Sequence, residues 1–102
     1  MKIGTGQTVY EEILSLDIDN NPVTGVTFDA LIYRDGASDG DINIDISLTD
    51  PVRGVYSASW SASTVGNHQL YVKNNDTSVI FVSQNILVIP DSELTTDIYI
   101  GL

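Results

Sequence analysis

The stretch GVYSASWSASTVGNHQLYV, Gly54 to Val72, decides the fold. Within it Tyr56, Ala58 and Trp60 alternate with Ser57, Ser59 and Ser61. A period of two sends successive side chains to opposite faces of a strand, so the apolar set faces a core and the serines face water. The short connection STVG follows, and NHQLYVK then places His68, Leu70 and Val72 on one face. Two such strands joined by a glycine-containing turn predict an antiparallel hairpin.

The same alternation continues outward in both directions. Towards the C-terminus NNDT supplies a turn, and SVIFVSQNILVI reads as one long strand or two with a bulge near Ser83 to Asn85, where the alternation loses phase. Towards the N-terminus TDPVRG turns the chain, and INIDISL sets Ile42, Ile44, Ile46 and Leu48 on a single face. RDGASDGD reads as a loop whose two Asp-Gly pairs provide turn chemistry. VTFDALIY places Val26, Phe28, Ala30 and Ile32 on one side, after the turn NNPVTG. In YEEILSLDI the set Tyr10, Glu12, Leu14, Leu16 and Ile18 shares a face, with Leu14, Leu16 and Ile18 expected inward. No segment keeps a helical period. Strands about every 8 to 12 residues, punctuated by Gly, Pro, Asn and Asp, predict an all-β antiparallel sandwich of about seven strands.

Residues 1–89 are expected to form that domain and 90–102 a linker and arm. PDSELTT is polar and proline-led, and DIYIGL alternates Ile98, Ile100 and Leu102 with Tyr99 and Gly101, a strand pattern. A strand cannot satisfy its backbone alone, so the arm is expected to add to a sheet edge, in preference that of a neighbour. With Tyr33 and Tyr71 it supplies the expected partner-binding residues: Ile98, Tyr99, Ile100, Leu102, Tyr71 and Tyr33.

Composition narrows the function classes. A chain of 102 residues with 42% hydrophobic content suits one globular domain. Fourteen acidic residues face four basic ones, for a net charge of −10. That balance disfavours nucleic acid, which needs phosphate-neutralising Lys and Arg, and disfavours anionic membranes. The absence of Cys removes disulfides and thiolate sites. The N-terminus has no apolar segment of the signal-peptide kind, so synthesis in the cytoplasm is expected.

The pattern Asp50, Gly54, Tyr56, Trp60, Gly66, His68, Leu70 and Val72 resembles the signature of filamin-type and bacterial immunoglobulin-like modules, with His68 where an aromatic is usual. DNNPVTGVTF is similar to the Asn-Pro-Val-x-Gly turn that opens many such domains. The resemblance spans about residues 10 to 89 and implies an immunoglobulin-like sandwich, a fold that hosts many unrelated tasks. A short, Cys-free, acidic domain of this kind with a terminal arm also resembles virion proteins of tailed bacteriophages, which decorate capsids or build tails and fibres. What this implies is a non-enzymatic structural protein located in the virion, with identical subunits or a larger capsid or tail protein as partners.

The candidate chemical sites are weak. DIDNN begins like a calcium loop, but an EF-hand needs Gly at position six and Glu at position twelve, where Pro22 and Phe28 stand. Asp35, Asp39, Asp41 and Asp45 read as a solvated Gly-rich loop rather than a Ca²⁺ site. His68, the one His, sits in a core pattern without a nucleophile elbow, so no catalytic residue, metal or cofactor is expected. The serine face, Ser57, Ser59, Ser61 and Ser63, is a wetted strand or a flat surface for a neighbour. The alternative function is a carbohydrate- or receptor-binding sandwich, with or without Ca²⁺; Trp60 and Tyr56 are placed in the core, leaving Tyr33, Tyr71 and Tyr99 to meet a partner.

Overall fold

The computed structural model describes residues 1–90. Tyr56, Ala58 and Trp60 lie on strand β6 (Val55–Ser61), and His68, Leu70 and Val72 on β7 (Gly66–Asn74). All six are buried, as their alternation requires. The two strands do not form the expected hairpin. β6 is the middle of a three-stranded sheet and β7 the middle of a six-stranded one, so residues 62–65 carry the chain across the sandwich. Each strand has one strongly apolar face, and stacking face to face buries both, whereas pairing side by side would leave both uncovered. The Trp60 and His68 rings mark that contact, stacked with centroids 5.6 Å apart.

The other strands fall around this pair. β1 (Lys2–Gly4) runs parallel to β9 (Ile86–Ile89), and β2 (Thr8–Leu14) runs antiparallel to β6. β3 (Phe28–Arg34) and β8 (Ile80–Val82) pair with β7, the short β4 (Ala37–Ser38) pairs with β3, and β5 (Asp45–Asp50) pairs with β6. The three-stranded sheet has the order β2-β6-β5; the larger has β1-β9-β7-β3-β4, with β8 also on β7. Lettered in the immunoglobulin manner, B-E-D faces G-F-C. The fold is thus an all-β, immunoglobulin-like sandwich, with nine strands among the described residues instead of about seven. The excess comes from the separate β1 and the tiny β4, with β8 and β9 as the two strands of SVIFVSQNILVI.

That division is a bulge. Tyr71 pairs with Val82 and His68 with Ile86, so Ser83–Asn85 oppose only Gln69 and Leu70. The extra residue shifts the inward phase from Phe81 to Ile86 and Val88, as the loss of alternation suggests. Ser83 staples it: its N–H donates to the Leu70 carbonyl and its hydroxyl accepts from the Leu70 N–H, both at 2.9 Å.

Two further expectations change. RDGASDGD is a tight two-residue hairpin rather than a plain loop. Asp35 and Gly36 both take positive φ, the geometry that matches strand twist in such turns, and β4 returns along β3. INIDISL becomes a strand only from Asp45; Ile42, Ile44 and Ile46 pack on the core, but Leu48 is 40% exposed beside a register shift.

The largest correction concerns β2. Leu14 and Ile18, expected inward, are 58% and 97% exposed, while Val9 and Ile13 are buried. Register explains the reversal. Val9 pairs with Trp60 and Ile13 with Tyr56, and directly paired residues share a face. The inward set of β6 therefore draws Val9, Glu11 and Ile13 inward and turns Tyr10, Glu12 and Leu14 out.

The two glycines of the family-like pattern have local causes. A Cβ on Gly54 (φ +70°) would stand 2.5 Å from the Ser15 carbonyl oxygen, and one on Gly66 (φ +137°) would meet the Asp35 carboxylate at 2.7 Å.

Candidate functional site

Strand β2 is the starting point, because its outer edge has no partner among the described residues. In immunoglobulin-like sandwiches the first strand flanks B. Here β1 instead joins the opposite sheet through β9, and residues 5–7 carry the chain over to β2. Seven residues of β2 pair with β6 without interruption, so its free edge is regular. The edge of β5, by contrast, is broken by the shift between Leu48 and Asp50 and closed by Pro51. Unpaired regular edges are templates for strand addition.

An apolar seam runs beside this edge. A hollow of about 310 Å³ lies between the sheets, lined among others by Ile13, Leu14, Val72, Val79, Ile80 and Phe81. A second of about 490 Å³ adjoins it at Val79 and includes Leu16 and Ile18. Leu14, Val79 and Ile80 are each more than half exposed although they border the core. The buried end of the seam is polar but satisfied. Asn74 donates from Nδ2 to the Ser15 hydroxyl at 2.9 Å and accepts at Oδ1 from the Asp76 and Thr77 N–H groups.

Glu11 guards the edge. Its partner across the ladder is Ala58, so the side chain lies on the inward face, and partial burial raises its pKa above the usual glutamate value. An inward charge on an edge strand discourages indiscriminate pairing.

A different surface lies on the outer face of the six-stranded sheet. Tyr33 on β3 and Tyr71 on β7 meet edge to face, with centroids 4.8 Å apart. They border a groove of about 370 Å³ together with Asp35, Gly36, Asn67, Gln69 and Asn85. Asp35 and Asn67 clasp each other: the Asn67 N–H donates to Asp35 Oδ1 at 2.9 Å, and the Asp35 N–H to the Asn67 carbonyl at 2.8 Å. Gln69 Nε2 donates to the Ser83 carbonyl at 2.9 Å.

The structure thus brings Tyr33 and Tyr71 together. Ile98, Tyr99, Ile100 and Leu102, the other partner-binding residues expected, lie outside the described residues, as does the proposed linker beyond Pro90. Asn67, Gln69 and Asn85 were missed by the sequence reading; the phase loss at Ser83–Asn85 was the one signal that a side chain there is re-aimed. Val79 and Ile80 were missed as well. Their signal was VIFV, an apolar run in a chain that elsewhere alternates.

The acidic turns are engaged locally. Asp17 Oδ1 accepts from the N–H groups of Asn21 and Asp19, each at 2.9 Å, and the Asn21 bond is the main reason its pKa falls below the usual aspartate value. Asp39 lies 3.7 Å from the Arg34 guanidinium, and its Oδ1 caps the Asp41 N–H. Among the described residues, no three His, Asp or Glu side chains gather closely enough to hold a metal ion. His68 is fully buried, and its Nδ1 donates to the Gly66 carbonyl at 2.9 Å.

Compared with known proteins, the chain matches no family model, no curated protein and no solved structure.

Proposed function

We propose that the chain is a non-enzymatic assembly module, a virion component such as a bacteriophage capsid decoration protein, that joins identical copies or a larger capsid or tail protein by strand addition. The observation that carries this reading is the coincidence of a regular open edge on β2 with the apolar seam beside it. An added strand would satisfy the edge N–H and C=O groups and cover Leu14, Val79 and Ile80. The alternating segment Ile98–Leu102 is the strand we assign to a neighbour's edge.

The route favours a neighbour over the same subunit. Pro90 follows Ile89, whose carbonyl accepts from the Thr5 N–H, so the chain leaves the domain near the Thr8 end of β2. Laid on its own β2 directly from there, the arm would run parallel to it, and running antiparallel would require the spacer to stretch almost fully along the seven residues of β2 before turning back. A neighbour's arm is free to lie antiparallel, as every pair in that sheet does, and antiparallel pairing is slightly stronger per residue. The spacer of about seven residues reaches roughly 23–25 Å, enough to leave one subunit for the next.

The burial of His68 against Trp60 supports a structural role for the one His. Truncation after Pro90 tests the proposal: the truncated domain should melt like the full chain but lose its oligomer or its place on the particle. Full occupancy without the arm would refute strand addition by it, and failure to fold would assign the arm to the core.

A further inference from the structure

We propose that the groove beside Tyr33 and Tyr71 binds a neutral carbohydrate. A sugar offers a flat C–H surface and hydroxyls that donate and accept at once. Aromatic rings suit the first, and side-chain amides, which carry both donor and acceptor, suit the second. The groove combines them: two Tyr rings at one wall, with Asn67, Gln69 and Asn85 around the remainder.

Charge narrows the ligand. No Lys or Arg lines the groove, its one charged group is Asp35, and the chain carries −10 overall. Sialylated, sulfated or phosphorylated ligands are therefore repelled. A peptide fits less well, because β7 has partners on both sides and β3 lies between β7 and β4, leaving no backbone edge in the floor. Recognition here must pass through side chains.

The groove is also largely preformed. The Asp35–Asn67 clasp fixes one end, and the bond from Gln69 to the Ser83 carbonyl fixes the floor. The bulge at Ser83–Asn85 is what brings Asn85 to the outer face. Under unbroken alternation from inward-packed Phe81, Asn85 would point to the core. Bulges commonly re-aim a side chain in this way. A volume of about 370 Å³ is near the lower end for small-ligand sites, so it takes a short saccharide or one end of a glycan. The groove shares no lining residue with the β2 seam, so this proposal stands apart from the assembly role.

The test uses the full chain, labelled with ¹⁵N and titrated with cellohexaose, chitohexaose, maltohexaose and β-galactan oligomers, and with sialylated and sulfated oligosaccharides for comparison. The expected result is a shift of Asn67, Gln69, Tyr71 and Asn85 amides by at least one neutral oligomer at millimolar concentration, unaffected by chelators. Tyr71→Ala and Asn85→Ala should each weaken that binding about tenfold or more while staying folded, Asn85→Ala melting like wild type and Tyr71→Ala somewhat lower for the lost contact with Tyr33. Leu14→Asp, which alters the seam, should leave it unchanged. The proposal is overturned if none of the neutral oligomers shifts these amides, if the anionic ones bind better, or if Tyr71→Ala binds as wild type does.

Discussion

Replacing Leu14 with Asp should dissolve the proposed assembly without harming the domain. Leu14 is 58% exposed, and Val79 and Ile80 beside it are 57% and 60% exposed. Full burial of such a side chain is worth about 1.5–3 kcal/mol, so covering the exposed part contributes about 1–2 kcal/mol each, or about 3–5 kcal/mol for the three. Leu14→Asp removes one such share and places a carboxylate where an added strand must desolvate it, a further cost of about 1–3 kcal/mol. At 1.4 kcal/mol per decade, a total of about 2–5 kcal/mol should weaken association by about 30- to 4,000-fold. Folding should change by no more than about 0.5 kcal/mol, because the side chain points outward at the end of β2. Sedimentation velocity over a concentration series would read the first effect and urea melts the second. Val65→Asp, on the turn at the opposite end of β6, is the control: equally exposed in kind but remote from the seam. If Leu14→Asp associates as the control does, the seam is not the contact. If it loses several kcal/mol of stability, Leu14 belongs to the core after all.

Gly54→Ala should destabilise by about 2–4 kcal/mol, combining a left-handed backbone penalty with displacement of the Ser15 carbonyl, and a neutral result in denaturant melts would contradict the close approach. Trp60→Ala should cost about 3–5 kcal/mol, since the indole is 2% exposed; a loss within about 0.5 kcal/mol would mean the ring is not in the core. Burial raises the pKa of Glu11, so its contribution is most favourable below the ordinary glutamate range and is lost as pH rises through the raised value. Glu11→Gln should accordingly be the more stable protein at neutral pH, with the difference closing on acidification; equal stability throughout would show that the carboxylate is fully solvated.

Legibility followed the strength of the periodic signal. Tyr56, Ala58, Trp60, His68, Leu70 and Val72 were readable because each strand has one apolar face and one polar face, so only one phase can be buried. The break at Ser83–Asn85 was readable as a change of phase. The partnership of β6 and β7 was not, because a turn of a few residues can close a hairpin or cross a sandwich, and alternation is the same in both. The groove was legible only in part: Tyr33 and Tyr71 stood out as outward aromatics, but nothing local ties Asn67 to Asp35 or brings Asn85 alongside them.

The misread face of β2 leads to the functional argument itself. By count alone, the phase holding Leu14, Leu16 and Ile18 has more apolar residues than the phase holding Val9, Glu11 and Ile13. Pattern therefore sends the first set inward. The ladder to β6 chooses the second, and it does so against the cost of an inward Glu11 and an outward Leu14, with Ile18 exposed just beyond it. Interior packing supplies no reason for that excess, since Leu14 and Ile18 lie outside the core cluster. A chain that places its richer apolar phase on the surface, beside an open edge and a half-exposed Val79–Ile80, retains hydrophobic area that folding does not use. Departures of this kind from local consistency concentrate where a protein does its work. Large exposed apolar patches mark contact surfaces, and a self-repelling acidic chain needs such a surface to assemble at all. Raising the ionic strength should then strengthen association, because screening weakens the repulsion while the apolar contact persists.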